Sequence, residues 1–234
     1  LHGLLEQLQP GLLGPKLEPL RERLDEMLRK QGLEPGTVTE RVRVVHAGKR
    51  SVPLQCFEAV AQATLQRKRL RIVHHNRERD DRVQREISPQ QLVHYRDNWY
   101  VDARCHLRRD IRCFGIDAIE SAEVLDTEAD EIDPKALRRS MSPSYGIFGG
   151  SPKDWAKIRF SPKRALWVRH EQWHPQQRQR LLKDGSLELE VPYSDEREML
   201  GDVLRFGADA QVLGPPALKR QYRAIVDAMR AQTT

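Results

Sequence analysis

Aromatic, cationic and imidazole side chains recur at every second position between Trp99 and His106, the period at which a β-strand places residues on one face. The pattern separates two faces, Trp99, Val101, Ala103 and Cys105 against Tyr100, Asp102, Arg104 and His106. The first set predicts a core face and the second a binding face. After a turn at residues 107–110, a second strand pattern contains Arg112. We therefore expect Arg104, His106 and Arg112 to converge near one hairpin.

These side-chain types suit an anionic ligand that carries bases. A guanidinium group binds phosphate oxygens through two parallel hydrogen bonds, and Tyr and His rings offer flat surfaces on which bases stack. The candidate site residues are Tyr95, Tyr100, Arg104, His106, Arg108 and Arg112, with Arg77 and His94 at the margin. The sequence contains no Gly-rich phosphate loop and no G-x-S-x-G nucleophile elbow. It therefore predicts a binding protein without a cofactor rather than an enzyme.

One pentapeptide, His170-Glu171-Gln172-Trp173-His174, matches the H-E-x-x-H pattern that binds zinc when it lies on a helix. Pro175 follows directly and disfavours helical geometry at His174, and no further histidine lies downstream. Cys105 and His106 are no better as joint ligands, because neighbours on a strand point to opposite faces. We predict no metal site and keep a zinc hydrolase as a remote alternative.

The positive charge is confined to one window of the sequence. The whole chain has 40 Lys and Arg against 34 Asp and Glu, a net charge of +6. Residues 67–112 contain thirteen Lys and Arg against seven Asp and Glu, which is the same excess, so the remainder is neutral. An excess localised in this way predicts an anionic partner. Acids at Glu78, Asp80 and Asp81 leave a solvated surface of mixed charge as the alternative.

Length and composition exclude other classes. The 234 residues suffice for two modest domains, and no run approaches the roughly 18 apolar residues that span a bilayer. Three cysteines without a C-x-x-C pair favour a reducing compartment. We expect a cytoplasmic protein with no membrane partner.

An apolar stripe near the start of the chain has helical spacing. It consists of Leu17, Leu20, Leu24 and Met27, between Pro15 and Gly32. About two heptads are too few for an independent coiled coil, so the stripe must pack on another element, either in its own chain or in a partner. We expect a homodimer, held partly by this stripe or by the C-terminal domain.

The remaining patterns predict two folded regions. Six strand-like segments at close spacing, residues 70–75, 83–87, 91–95, 99–106, 111–116 and 121–125, predict a small barrel. Residues 126–154 have the acidic, Ser-, Gly- and Pro-containing composition of a linker. Beyond it, a β-α-β-β-α-β order with a final helix predicts a split α/β sandwich.

The strand patterns resemble a known family, the WYL domain, a small Sm-like or SH3-like barrel found mostly in bacterial transcription factors. The resemblance rests on Trp99-Tyr100-Val101, Ala103-x-Cys105, Asp110-x-Arg112-x-Phe114, Leu70-Arg71-Ile72, and Arg85-Glu86-Ile87-Ser88-Pro89 with Leu92. Residues 155–232 are similar to the C-terminal extension of that family. The resemblance implies a basic surface that senses nucleic acids or nucleotide-like molecules.

The predicted fold class is α+β. Its parts are a helical linker or dimerisation segment at 1–55, a WYL Sm-like barrel at 56–126, a linker at 127–153 and a ferredoxin-like C-terminal extension at 154–234. The predicted function is the ligand-sensing and dimerisation portion of a DNA-binding transcriptional regulator, whose barrel binds a nucleic-acid-derived or other anionic effector. Operator DNA would be contacted by a winged helix-turn-helix, which such proteins usually carry and which is not visible in this chain. The alternative is a standalone WYL accessory module that binds single-stranded nucleic acid and modulates a partner protein.

Overall fold

The computed structural model of the protein describes residues 50–141, 145–147, 150 and 152–232, together with isolated positions between 22 and 48. The chain divides into two units, residues 1–132 and 133–234. Leu17, Leu20 and Leu24 of the predicted dimerisation stripe lie outside the described residues. Each unit combines helices with an antiparallel sheet, so the fold is a mixed α+β fold, as predicted.

From residue 50 onward, the first unit contains one α-helix and five strands, and described positions between 22 and 30 are also helical. Their bounds are α1 (Leu54–Gln66), β1 (Lys68–Asn76), β2 (Asp81–Tyr95), β3 (Asn98–Cys105), β4 (Asp110–Gly115) and β5 (Ile119–Glu128), with a short 3-10 helix at Ile116–Ala118. The strands form one antiparallel sheet in the order β4-β3-β2-β1-β5. Between the described residues of β4 and β5 no pairing closes this sheet, and the Sm-like barrel stays a prediction.

Two of the predicted strands are one. The segments predicted at 83–87 and 91–95 belong to the 15-residue strand β2, which passes through Pro89. A register shift between Pro89 and Gln91 lets the strand continue, because a bulge tolerates a residue that cannot donate a backbone hydrogen bond. The extra residue is Gln90, whose amide nitrogen donates to the carbonyl oxygen of Asp130 at 2.8 Å. This side chain fastens the segment that follows β5 to the bend in β2.

The core of the first unit lies between α1 and one face of the sheet, which we call the core face. Strand residues of this face include Leu70, Ile72, Ile87, Val101, Ala103, Cys105 and Phe114, and all of them are buried. Helix α1 contributes Phe57 and Val60. The alternation predicted for β3 is confirmed on this side, since Trp99 packs against the same cluster, with its ring 5.4 Å from that of Phe57.

The second unit has four strands and four helices among its described residues. Their bounds are α2 (Pro134–Met141), β6 (Asp154–Phe160), α3 (Pro162–Val168), β7 (Arg178–Leu181), β8 (Leu187–Tyr193), α4 (Glu196–Leu204), β9 (Ala210–Gly214) and α5 (Pro216–Ala231). Helix α2 falls inside the predicted linker. The antiparallel sheet has the order β7-β8-β6-β9. Strand β7, Arg-Gln-Arg-Leu, has no apolar alternation and no range was predicted for it.

The core of the second unit lies on one side of its sheet, which β6, β8 and β9 cover with apolar residues, whereas β7 is exposed on both sides. The buried side includes Ala156, Ile158, Phe160, Leu187, Leu189, Val191, Ala210 and Val212. Residues between them, such as Lys157 and Glu190, point to the opposite side, which we call the open face, because successive strand residues alternate. Helices α3 and α4 supply Val168, Met199 and Val203 to the same core. No helix among the described residues is long and apolar enough to cross a membrane.

Candidate anion-binding site

The pairing of β3 with β4 places Arg104 and Arg112 on different faces of the first sheet. Arg104 pairs with Ile111, whereas Arg112 pairs with Ala103, a buried residue of the core face. Residues paired across two strands point to the same side, so Arg112 shares the side of Ala103. The expectation that Arg104, His106 and Arg112 converge on one surface is therefore wrong. A one-residue difference in register is enough to reverse a side chain, and the turn at residues 107–110 set that register.

Two predicted site residues lie together on the face opposite the core, and both have partners. The Arg104 Nε lies 3.5 Å from a carboxylate oxygen of Asp130. The His106 Nε2 lies 2.9 Å from the Oγ of Ser88, and that Oγ accepts a hydrogen bond from the backbone amide of Asp130. These contacts tie the end of β3 to β2 and to the chain beyond β5. The arrangement satisfies the polar groups internally and leaves little unpaired charge for a ligand.

Arg77 and Tyr100 belong to a second group, centred on Asp117. Arg77 donates to Oδ2 of Asp117 at 2.5 Å and to its backbone carbonyl at 2.9 Å. Arg50 lies 3.2 Å from the same Oδ2 and also donates to the hydroxyl of Tyr100. Burial raises the pKa of Tyr100, so its hydroxyl stays protonated at neutral pH. The side chain of Asp117 is only 1% exposed, and two cations around it leave a small positive excess.

The remaining predicted residues are dispersed. The ring of His94 packs against that of Trp99 at 4.8 Å, at the edge of the core. The guanidinium of Arg96 lies 5.0 Å from the centre of the Tyr95 ring. Arg108 is exposed in the turn between β3 and β4. The structure therefore does not bring the predicted set together as one site.

The tertiary structure also neutralises most of the localised charge. Seven of the thirteen cations of residues 67–112 form ion pairs with acids that lie after residue 112 in the sequence, counted over the described residues. These cations are Arg67, Lys68, Arg69, Arg71, Arg77, Arg82 and Arg104. The strand β5 and the segment after it return beside β1 and bring the acids with them. The net charge counted over residues 67–112 of the sequence therefore overstates the unpaired positive charge on the surface.

One buried cation stands apart from these pairs. Arg85 is 9% exposed and lies on the core face, because it pairs with Ile72. Its Nη1 lies 3.7 Å from the Sγ of Cys105, its Nε is buried without a hydrogen-bond acceptor, and no carboxylate of the described residues pairs with it. A buried guanidinium with a thiol as its neighbour is costly, since charges are normally buried only with a counter-charge. A bound anion would compensate the buried positive charge of the Arg85 guanidinium.

His74 and Arg112 lie on the same face of the sheet as Arg85 and Cys105, and we call these four residues the Arg85 cluster: His74, Arg85, Cys105 and Arg112. Arg112 is exposed and diagonal to Cys105 across the β3–β4 pair, and it forms no ion pair among the described residues. Burial, with the charges of Arg85 and Arg77, lowers the pKa of His74, so the imidazole is neutral at pH 7. Asp110 pairs with Cys105, but its Oδ1 accepts from the amide of Ile111 and it makes no ion pair with either arginine. Two guanidinium groups and one carboxylate, that of Asp110, therefore lie on this part of the core face, and Arg112 is exposed to solvent.

Sequence reasoning missed Arg85, although a signal was present. The segment Val83-x-Arg85-x-Ile87 alternates in step with apolar residues, which places the guanidinium on the core face. A cation in the apolar register of a strand is rare without a partner or a ligand. Arg50 was missed because it lies before α1 and only the fold brings it to Tyr100.

The H-E-x-x-H pentapeptide does not form a helical zinc motif. Helix α3 ends at Val168, before His170. The Nδ1 of His174 accepts a hydrogen bond from the backbone amide of Gln176, and Glu171 accepts one from the indole of Trp173 at 2.8 Å. Burial lowers the pKa of His174. Over the described residues, no group of three His, Cys, Asp or Glu side chains is arranged to hold a metal ion.

The fold and the sequence patterns define a two-unit α+β chain. Each unit also matches the model of a known domain family. The WYL domain model matches residues 55–124 and the WCX domain model matches residues 152–230. The chain therefore carries a WYL domain followed by a WCX domain.

Among curated proteins, the chain is similar to Protein PafC of Mycobacterium tuberculosis (strain ATCC 25618 / H37Rv), 28% identical over 178 residues, which are 74% of this chain and 54% of that protein. Protein PafC of Mycobacterium leprae (strain TN) is 26% identical over 170 residues, 70% of this chain and 49% of that protein. The chain spans about half the length of these relatives.

Two solved structures are also similar. Proteasome accessory factor B/C of Arthrobacter aurescens has 25% identity and a TM-score of 0.36, covering 80% of this chain and 29% of that chain. A CRISPR Cas-related protein has 14% identity and a TM-score of 0.48, covering 77% of this chain and 51% of that one.

Proposed function

We propose that the chain is the ligand-sensing part of a cytoplasmic bacterial transcriptional regulator, and that its WYL unit binds a small anionic effector at the Arg85 cluster. The proposal rests on the WYL and WCX domains and on the resemblance to regulator domains. It modifies the site expected from the sequence, because Arg104 and Arg77 have acidic partners while Arg85 and Arg112 have none among the described residues. We also propose an Sm-like barrel for the first unit and a ferredoxin-like fold for the second.

The effector site rests on one observation: Arg85 is nine-tenths buried, and none of the residues that the structure describes supplies a counter-charge. A phosphate group bound between Arg85 and Arg112 would supply the missing acceptor through charge-assisted hydrogen bonds. His74, neutral at pH 7, adds a donor or a stacking surface without opposing charge. The ligand class is therefore a phosphate monoester, such as a nucleotide or an oligonucleotide end.

The test is the Arg85→Met variant, studied by thermal unfolding with and without thymidine 5′-monophosphate. Removal of an unpaired buried charge is expected to raise the free energy of unfolding of the free protein by about 1 kcal/mol, and ligand-induced stabilisation is expected to vanish. The control is Arg82→Met on the same strand, whose guanidinium is 53% exposed and paired with Glu120. A free Arg85→Met protein that melts early would show that Arg85 is structural.

We further propose that the chain forms a homodimer, supported by the apolar spacing of Leu17, Leu20 and Leu24. Light scattering should give twice the chain mass of 27.2 kDa. A monomer at high concentration would contradict this. The second candidate function, an accessory module that binds single-stranded nucleic acid, is favoured by a separate observation on the WCX unit, described next.

A further inference from the structure

The open face of the WCX sheet carries a compact array of cations. Its members on three adjacent strands are Lys157 and Arg159 on β6, Glu188 and Glu190 on β8, and Arg178 and Arg180 on β7. Register proves that they share the face, because Lys157 and Arg178 both pair with Glu190 while Arg159 and Arg180 both pair with Glu188. Four cations against two acids leave an excess of two positive charges.

Glu188 organises this array. Its side chain is only 6% exposed, and its oxygens lie 2.7 Å from Arg159, 2.8 Å from Arg180 and 3.1 Å from Lys157. The hydrogen bonds from these cations lower the pKa of Glu188 to about 2. Glu190 also lies 3.7 Å from the Lys157 amine, so two carboxylates face three cations held close together, and one positive charge remains. Their own side chains remain 38–69% exposed and accessible to another anion.

An aromatic ring adjoins the array. Trp155 precedes Lys157 by two residues on β6 and so points to the same face. The guanidinium of Arg178 lies 4.4 Å from the centre of its ring. Lys157, Arg178, Gln179, Arg180, Glu188 and Glu190 line a shallow cleft of about 320 Å³. The face thus combines a positive cleft with a flat ring at one end of it.

We propose that the open face of the WCX sheet binds single-stranded nucleic acid, with Trp155 stacking on a base and Lys157, Arg178 and Arg180 contacting phosphates. Cationic grooves with an aromatic platform bind single strands because every base has a stacking surface and every nucleotide carries a charge. From Trp155 to Arg159 the strand spans about 13 Å, at roughly 3.3 Å per residue, so a few nucleotides fit. This surface is separate from the Arg85 cluster and goes beyond the proposed effector site.

The experiment measures binding of a fluorescent ten-nucleotide oligothymidylate to the full chain by anisotropy at several salt concentrations. The test variant is Arg178→Gln/Arg180→Gln, on an exposed edge strand. The matched control is Arg220→Gln/Arg223→Gln, two exposed cations of α5 that remove the same charge elsewhere. The test variant should weaken binding tenfold or more and flatten the slope of log K against log salt by about 1.4, since each single-strand phosphate contact contributes about 0.7. The affinity of the control variant for the oligonucleotide should stay within about twofold of the wild-type value.

Two further variants distinguish base stacking from charge attraction, and the open face from the Arg85 cluster. Trp155→Leu should weaken binding at least fivefold with little change in salt slope, because stacking carries no charge. The oligonucleotide carries no terminal phosphate monoester, so the Arg85→Met variant should bind it like the wild type. Equal binding by wild type and Arg178→Gln/Arg180→Gln overturns the inference. If the Arg178→Gln/Arg180→Gln variant binds normally and the Arg85→Met variant does not, the oligonucleotide binds at the Arg85 cluster and not at the open face. The inference is also overturned if the protein binds duplex DNA as tightly as the single strand and the Trp155→Leu change has no effect on binding.

Discussion

Arg104 and Arg112 point to opposite sides of the β3–β4 hairpin, because Arg104 pairs with Ile111 and Arg112 pairs with the buried Ala103. Arg104 is close to the carboxylate of Asp130, whereas Arg112 has no acid partner among the described residues and lies diagonal to Cys105, which Arg85 also contacts. The two arginines are equivalent in sequence pattern and different in electrostatic role. This difference makes the effector site testable with a matched pair of variants.

Arg112→Gln should weaken the binding of thymidine 5′-monophosphate by tenfold or more, because a charge-assisted hydrogen bond is worth roughly 1.5–3 kcal/mol. Arg104→Gln should change it less than threefold, because that guanidinium already has a carboxylate. Isothermal titration calorimetry at constant ionic strength measures both. An equal loss in the two variants would refute the assignment of the site to the core face.

Trp99→Ala should lower the free energy of unfolding by about 3 kcal/mol, since the ring packs on Phe57 and His94 at the edge of the core. Trp167→Ala is the control, because its side chain is exposed and its loss should cost less than about 0.5 kcal/mol. Urea unfolding followed by circular dichroism gives both values. Similar values for the two would mean that Trp99 is not part of the core.

Asp102→Asn should stabilise the protein at pH 7 by about 1 kcal/mol. Asp102 is 2% exposed, and burial raises its pKa, opposed by hydrogen bonds from Gln91 and Cys113. A folded-state pKa above the unfolded one means that the folded state binds the proton more tightly, so stability falls as pH rises through the folded pKa. The gain from Asn should therefore shrink as pH falls through that pKa and be absent below the ordinary value of 3.8. Melting curves at pH 7 and pH 3 test this, and a loss of stability at pH 7 would contradict it.

Glu188→Gln should lower the stability of the protein at pH 7, whereas Asp102→Asn should raise it. The three surrounding cations lower the pKa of Glu188 from 4.5 to about 2, so its stabilising contribution is present above about pH 4.5 and is lost as pH falls toward 2. The variant should lose on the order of 2 kcal/mol at pH 7. Its difference from the wild type should narrow between pH 4.5 and pH 2 in denaturant titrations. A difference that is constant with pH would show that the charge of Glu188 does not matter.

The sequence by itself determined most of the helices and strands and the core side of β3, but not β7 or α2. Val101, Ala103 and Cys105 alternate with Tyr100 and Arg104, and this period of two follows from strand geometry alone. In the second unit, local spacing likewise identified β6, α3, β8, α4, β9 and α5. These properties depend on contacts between near neighbours in the chain.

Only the tertiary structure decided which charges remain unpaired. Arg69 and Arg104 share the carboxylate of Asp130, and Arg77 meets Asp117, because β5 folds back beside β1. Such partners are tens of residues apart, so no local pattern records them. The register between β3 and β4 likewise placed Arg112 on the core side, and a shift of one residue would have reversed it. Free charge is set by long-range pairing, and the candidate site therefore had to be read from the fold.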